Sequence, residues 1–167
     1  MKSHKTPNLT NTDLRLGGDA IIRRYTLIAA GIGIIPSPTV NSVGIAVMEL
    51  AMIDELAKNY TYPFPTKLAA TKAFISLVGS LGPVYLAMKS KSAISAVPLV
   101  GHLMASTIYS ITGAISVYAV GKIFQMHFES GGTLLSKENS LLRKIFKKEA
   151  EQGAKEIPNL IQTRTVD

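Results

Sequence analysis

The sequence predicts an all-α protein: two helical hairpins forming a membrane-embedded or membrane-associated bundle, followed by a C-terminal basic amphipathic helix. Three observations carry that expectation. Long uncharged runs are punctuated by proline and glycine and lack the alternation of half-buried strands. Hydrophobic residues make up 47% and charged residues only 17% of the chain, where soluble domains carry about a quarter charged. Charge is also crowded at the two ends. Residues 1–24 carry five Lys/Arg and two Asp, residues 137–167 seven Lys/Arg and five Asp/Glu, and the long middle only six Lys/Arg and four Asp/Glu.

The chain of 167 residues is long enough for one domain. Residues 1–19 read as a disordered polar tail broken at Gly17-Gly18, 20–135 as the helical-hairpin domain, 136–156 as the basic amphipathic helix and 157–167 as a flexible tail. Arg23 and Arg24 precede 24 uncharged residues, Tyr25 to Met48. That run is long enough to cross a bilayer, but Pro36 and Pro38 interrupt it. Proline removes a backbone donor and disfavours helix at the residue before it. The run therefore divides into two helices meeting at Pro36-Ser37-Pro38, with Ser37 as cap and Pro38 at the first position of the second.

The second helix extends to about Tyr60. Ile45, Met52, Ile53, Leu56 and Tyr60 fall on one face, and Asp54 and Lys58 form an i,i+4 pair away from it. Glu49 breaks the pattern by lying at the centre of the apolar stripe. A carboxylate there must pair, protonate or face water. Pairing with a lysine or histidine of a neighbouring helix is the simplest outcome, and a proton- or ligand-coupled group is the functional one. A third helical segment is expected from Thr66 to Met88, interrupted at Gly82-Pro83, and a fourth from His102 to Gly121. In the fourth, Ser106, Ser110 and Ala114 recur every four residues, as do Gly113, Val117 and Gly121, which suits close helix approach.

The stretch GKIFQMHFESGG, Gly121 to Gly132, closes the last uncharged helix. Phe124 and Phe128 are i,i+4 partners, Lys122, Gln125 and Glu129 mark the water boundary, and His127 sits at the negative helix end. Gly131-Gly132 supplies a left-handed stop. In SLLRKIFKKEAEQG, Leu141, Leu142, Ile145 and Phe146 share one arc while Arg143, Lys144, Lys147 and Lys148 share the other, with Gly153 as the stop. Such a helix lies on an anionic membrane, docks onto a partner, or covers the bundle.

Motifs for chemistry are missing. The sequence has no GxxxxGK[ST], HExxH, GxSxG or GxGxxG and no zinc-ligand spacing, and with no cysteine it has neither a disulfide nor a thiolate site. No cofactor, metal or catalytic residue is expected, nor an enzyme. The net charge is +7, but the basic residues are not interleaved with stacking aromatics, so nucleic acid is not an expected partner.

Three strings resemble the YcjF-type family of GTPase-associated bacterial membrane domains: AAGIGIIPSPTVN (Ala29 to Asn41), MELAMIDELAKNYTYPF (Met48 to Phe64) and GKIFQMHFESGGT (Gly121 to Thr133). The resemblance spans roughly Ile21 to Leu135. Gly33, Pro36, Pro38, Asn41, Gly121, Glu129, Gly131 and Gly132 are its structural positions. Asn41 stands where the family usually has an acidic residue, and Glu49 where glutamine is expected. The resemblance implies a helical module of the bacterial inner membrane with cytoplasmic tails that anchors, recruits or joins a larger assembly. Its partners would be membrane lipids, further copies of itself and a GTPase acting in trans. Two alternatives stand beside it: a soluble or peripheral bundle that homo-oligomerises, and a small pore or transporter component with Glu49 as its intramembrane site.

Overall fold

The computed structural model describes residues 10–32, 38–62 and 101–162, and all the regular structure among them is helical. Helix α1 runs Asn11–Ile32, α2 Pro38–Asn59, α3 Gly101–Glu129 and α4 Asn139–Gln162, with a single 3-10 turn, Leu134–Ser136, before α4. The expected segment from Thr66 to Met88, and Gly33, Pro36 and Ser37 of the proline turn, lie outside the described residues.

Helix α1 begins earlier than its composition suggests, at Asn11 and not near residue 20. The cause is a capping box. Thr10 Oγ1 accepts the Asp13 N–H at 3.2 Å, and the Asp13 carboxylate accepts the Thr10 N–H at 3.0 Å. The Thr10 hydroxyl also donates to the Asp13 carboxylate at 2.7 Å, and this bond, with the one from the Thr10 N–H, holds the carboxyl below its ordinary range. Gly17 and Gly18 do not break the helix. A Cβ at Gly17 would lie 2.5 Å from Asn59 Oδ1, and one at Gly18 2.9 Å from Gln125 Nε2. These glycines are places where neighbouring side chains reach the α1 backbone.

Helix α2 starts at Pro38, a residue whose missing N–H costs nothing at a helix start. It buries Met52, Ile53 and Leu56 along the face its periodicity predicts. It leaves through a left-handed residue, Thr61 at φ 51°, closed by Tyr62 N–H donating to Ala57 O at 2.9 Å. Helix α3 ends in the same motif built on glycine. Gly131 has φ 67°, and the Gly132 N–H reaches His127 O at 2.8 Å.

Helix α4 passes straight through Gly153, which was expected to stop it, and continues to Gln162. A Cβ at Gly153 would lie 2.8 Å from the Tyr118 ring, so this glycine lets α3 and α4 approach closely. Ile157 is buried and ties down the turn that reads as a frayed tail in the sequence.

Side-chain pairs fix the directions. Asn59 reaches Leu14 O and Arg24 bonds Glu55, so α1 and α2 are antiparallel. Ser116 bonds Glu49 and Tyr60 bonds Gln125 and Glu129, so α2 and α3 run the same way. Tyr118 bonds Glu156 across the antiparallel α3–α4 pair. Helix α3 is central and packs against the other three. Its Ala114, Val117, Ala119, Val120 and Ile123 join Ile22 and Ala29 of α1, Met52 and Leu56 of α2, and Leu142, Phe146 and Ala150 of α4 in one core.

Candidate functional site

Between α2 and α3 the core contains a carboxylate. Glu49 is 2% exposed, and its Oε1 accepts a hydrogen bond from Ser116 Oγ at 2.9 Å. Burial pushes its carboxyl up to about 7, with the Ser116 bond pulling the other way. Periodicity places Glu49 correctly, but its described partner is a serine and not the expected lysine or histidine. The lysine of the same helix, Lys58, pairs with Asp54 at 2.7 Å. Ser116 gives no sequence signal of its own, since the two residues are 67 apart and meet only because α2 and α3 run side by side.

A second polar group joins α1, α2 and α3 nearer the Gly131 end. Lys122 Nζ donates to Asp19 Oδ1 at 2.5 Å and to Gln125 Oε1 at 3.2 Å. Gln125 Nε2 has Asp19 Oδ1 at 3.0 Å, Arg15 O at 3.2 Å and the Tyr60 hydroxyl at 3.3 Å. Tyr60 in turn donates to Glu129 Oε1 at 3.0 Å, and Arg15 approaches the same carboxylate at 3.8 Å. Burial and the nearby Glu129 raise the Tyr60 hydroxyl to about 12. Gln125, read from the sequence as a water-boundary residue, is 3% exposed. It fills the space that Gly18 leaves open, a role the sequence did not reveal because the Gly17-Gly18 pair reads there as a break.

His127 lies elsewhere, three turns along α3 from Ser116. Phe124, Phe128 and Tyr62 surround its ring, and its Nδ1 accepts the Leu135 N–H at 3.3 Å. Burial lowers its pKa. This contact fastens the turn after α3. Gly121 takes both Ile22 and Met52 against its Cα, with a Cβ there falling 2.8 Å from Ile22 Cγ1. Glu129 sits in the polar seam, Gly131 and Gly132 in the helix stop, and Pro38 and Asn41 in the first turn of α2.

The basic helix divides cleanly. Leu142 and Phe146 are buried, at 4% and 2% exposed, against α3, while Arg143, Lys144, Lys147 and Lys148 are exposed. The bundle therefore covers most of the apolar arc, with Leu141 left 42% exposed, and turns the cations outward, Lys147 lying 4.0 Å from Glu151. Among the described residues, no helix is long and apolar enough to cross a membrane, and no group of three or more His, Asp or Glu is placed to hold a metal ion.

The profile of a family described as a domain of unknown function (DUF697) matches residues 3–155. The chain is 27% identical over 149 residues to magnetosome membrane protein 22 of Magnetospirillum gryphiswaldense, covering 89% of this chain and 75% of that protein. No solved structure matches it.

Proposed function

The chain belongs to the DUF697 family, and we propose that it is a non-enzymatic, membrane-associated helical module that helps to build or recruit a larger assembly, with a GTPase in trans as one partner class. The observation that carries the reading is the outward cationic face of α4, Arg143, Lys144, Lys147 and Lys148, on a helix whose Leu142 and Phe146 are already buried. Its similarity to a protein named as a magnetosome membrane protein supports it. Contact with the bilayer by this helix is electrostatic. Each cation near an anionic surface contributes about 1 kcal/mol, so the four together contribute at most about 4 kcal/mol.

Vesicle flotation tests this. The chain should float with phosphatidylserine-containing vesicles more than with phosphatidylcholine alone, and release with salt. Changing all four residues to Glu should lower the partition by on the order of 10³. Equal binding by wild type and variant would remove the electrostatic role. A second reading, a bundle that associates with itself, draws on Val43 and Val47. These lie one turn apart on α2 and are 59% and 61% exposed.

A further inference from the structure

Glu49 belongs to a layer of the core, and the packing next to it shows which residues share that layer. Ile22 of α1 and Met52 of α2 both rest on Gly121 of α3. One turn further along the bundle, the antiparallel α1 brings Thr26 and α2 brings Glu49. The corresponding turn of α3 holds Val117 and Ser116. Thr26 is 1% exposed, and its Oγ1 has no hydrogen-bond partner. By this register three oxygen-bearing side chains from three helices fall at one level, Thr26 and Glu49 buried and Ser116 half-buried. One is a carboxyl with a single described donor, and another is a hydroxyl with no partner. A buried polar atom without a partner is costly and needs an explanation.

The charged groups around this layer are engaged elsewhere. On α1, Arg24 and Tyr25 turn to Glu55, Asp19 is held by Lys122 and Gln125, and Arg23 is exposed. On α3, Lys122 serves Asp19 and Tyr118 serves Glu156, while His127 lies three turns away beside Leu135. On α2 itself, Asp54 pairs with Lys58. Among the described residues no cation contributes to the state of the Glu49 carboxyl.

We propose that Glu49 is a proton-binding residue of the core: protonated, it completes a hydrogen-bonded layer with Ser116 and Thr26 that clamps α1, α2 and α3 together, and ionised, it loosens that clamp. The donors and acceptors then balance. Ser116 Oγ–H donates to Oε1, as observed. The acid O–H on the other oxygen donates to Thr26 Oγ1. The Thr26 hydroxyl, which makes no bond in the structure, then turns to donate to the carbonyl one turn back in its own helix. Ionisation removes the proton that joins α2 to α1 and leaves a buried charge with one donor.

The linkage has a definite sign. Burial raises the Glu49 carboxyl from 4.5 to about 7. Its contribution to stability is therefore full below about pH 4.5 and is lost as pH rises through 7, changing the unfolding equilibrium by up to about 300-fold. His127 acts oppositely, because its lowered pKa costs stability as pH falls. The two overlap, so the informative quantity is the difference between wild type and Glu49→Gln.

The test uses the full chain in mild detergent, with denaturant unfolding from pH 5 to 8, and a carbon NMR titration of labelled glutamate carboxyls assigned by Glu49→Gln. Expected are a carboxyl that titrates near neutrality and a wild-type-to-variant ratio of unfolding constants that changes on the order of 100-fold across the range. Thr26→Val should weaken the wild type about tenfold at pH 5 and little at pH 8. A Glu49 carboxyl that titrates in the ordinary range, or a ratio independent of pH, overturns the proposal. If Glu49→Gln does not fold, the titration still decides it, with the Glu49 signal taken as the one that Thr26→Val shifts.

Discussion

Replacing Gly121 by alanine isolates what the close approach of α1, α2 and α3 is worth. The added Cβ would lie 2.8 Å from Ile22 Cγ1, 3.1 Å from Ile22 Cγ2 and 3.0 Å from Met52 Sδ. The methionine can swing aside, but the isoleucine is β-branched, fully buried and has one favoured rotamer in a helix. Overpacking of this kind costs about 1–3 kcal/mol. The helix-propensity gain of alanine over glycine returns about 1 kcal/mol. A net loss of about 1 kcal/mol is expected, or a fall in Tm of about 2–4 °C for a chain of this size. Gly31→Ala is the control, since a Cβ there meets nothing within 4 Å. It should gain up to about 1 kcal/mol from propensity and unfolded-state entropy. In an Ile22→Ala background both clashing carbons are absent, and Gly121→Ala should become stabilising. Denaturant unfolding of the four chains that form the Gly121–Ile22 cycle, with the control beside them, measures each quantity. If Gly121→Ala stabilises the wild type as much as Gly31→Ala does, the three helices are not packed as described.

Two further substitutions test local features. Thr61 ends α2 at φ 51°, a region unfavourable for a β-branched residue, so Thr61→Gly should raise stability by about 1 kcal/mol in the same unfolding assay. His127 accepts the Leu135 N–H through Nδ1, and burial lowers its pKa below 6.5. Its contribution is present above pH 6.5 and lost as pH falls through the lowered value. His127→Gln should therefore flatten the loss of stability between pH 7 and 5, and an unchanged slope would show that another group titrates there.

The glycines show what the sequence could and could not reveal. Gly131 reads as a helix stop and is one, with φ 67° and empty space where a Cβ would point. Gly17, Gly18 and Gly153 carry the same signal and sit inside helices, because Asn59, Gln125 and Tyr118 press on them. Composition does not distinguish a glycine needed for its φ from one needed for room, since the second depends on residues far away in the chain. The capping box of Thr10 and Asp13 was legible three residues apart and outweighs the polar composition around it. Glu49 was legible from a 3.6-residue period, whereas Thr26 and Ser116 became meaningful only once three helices had a register.

The packing around α3 changes what its hydropathy implies. A helix apolar on every side needs burial all round, and either a bilayer or other protein supplies it. From Ala114 to Phe128, protein supplies it here: α1 and α2 close on the Gly121 side, α4 closes on the Tyr118 side, and Val117, Val120 and Ile123 are at most 1% exposed. The amphipathic arc of α4 is likewise taken up by Leu142, Phe146 and Ala150 packing inward. Two sequence features that each suggested contact with lipid acyl chains therefore satisfy one another within the bundle. Apart from Leu141, what α4 leaves outward is mostly charge, and a contact made by charge is sensitive to ionic strength, unlike one made by acyl burial. Salt dependence of vesicle binding therefore measures how much of the proposed membrane attachment passes through α4.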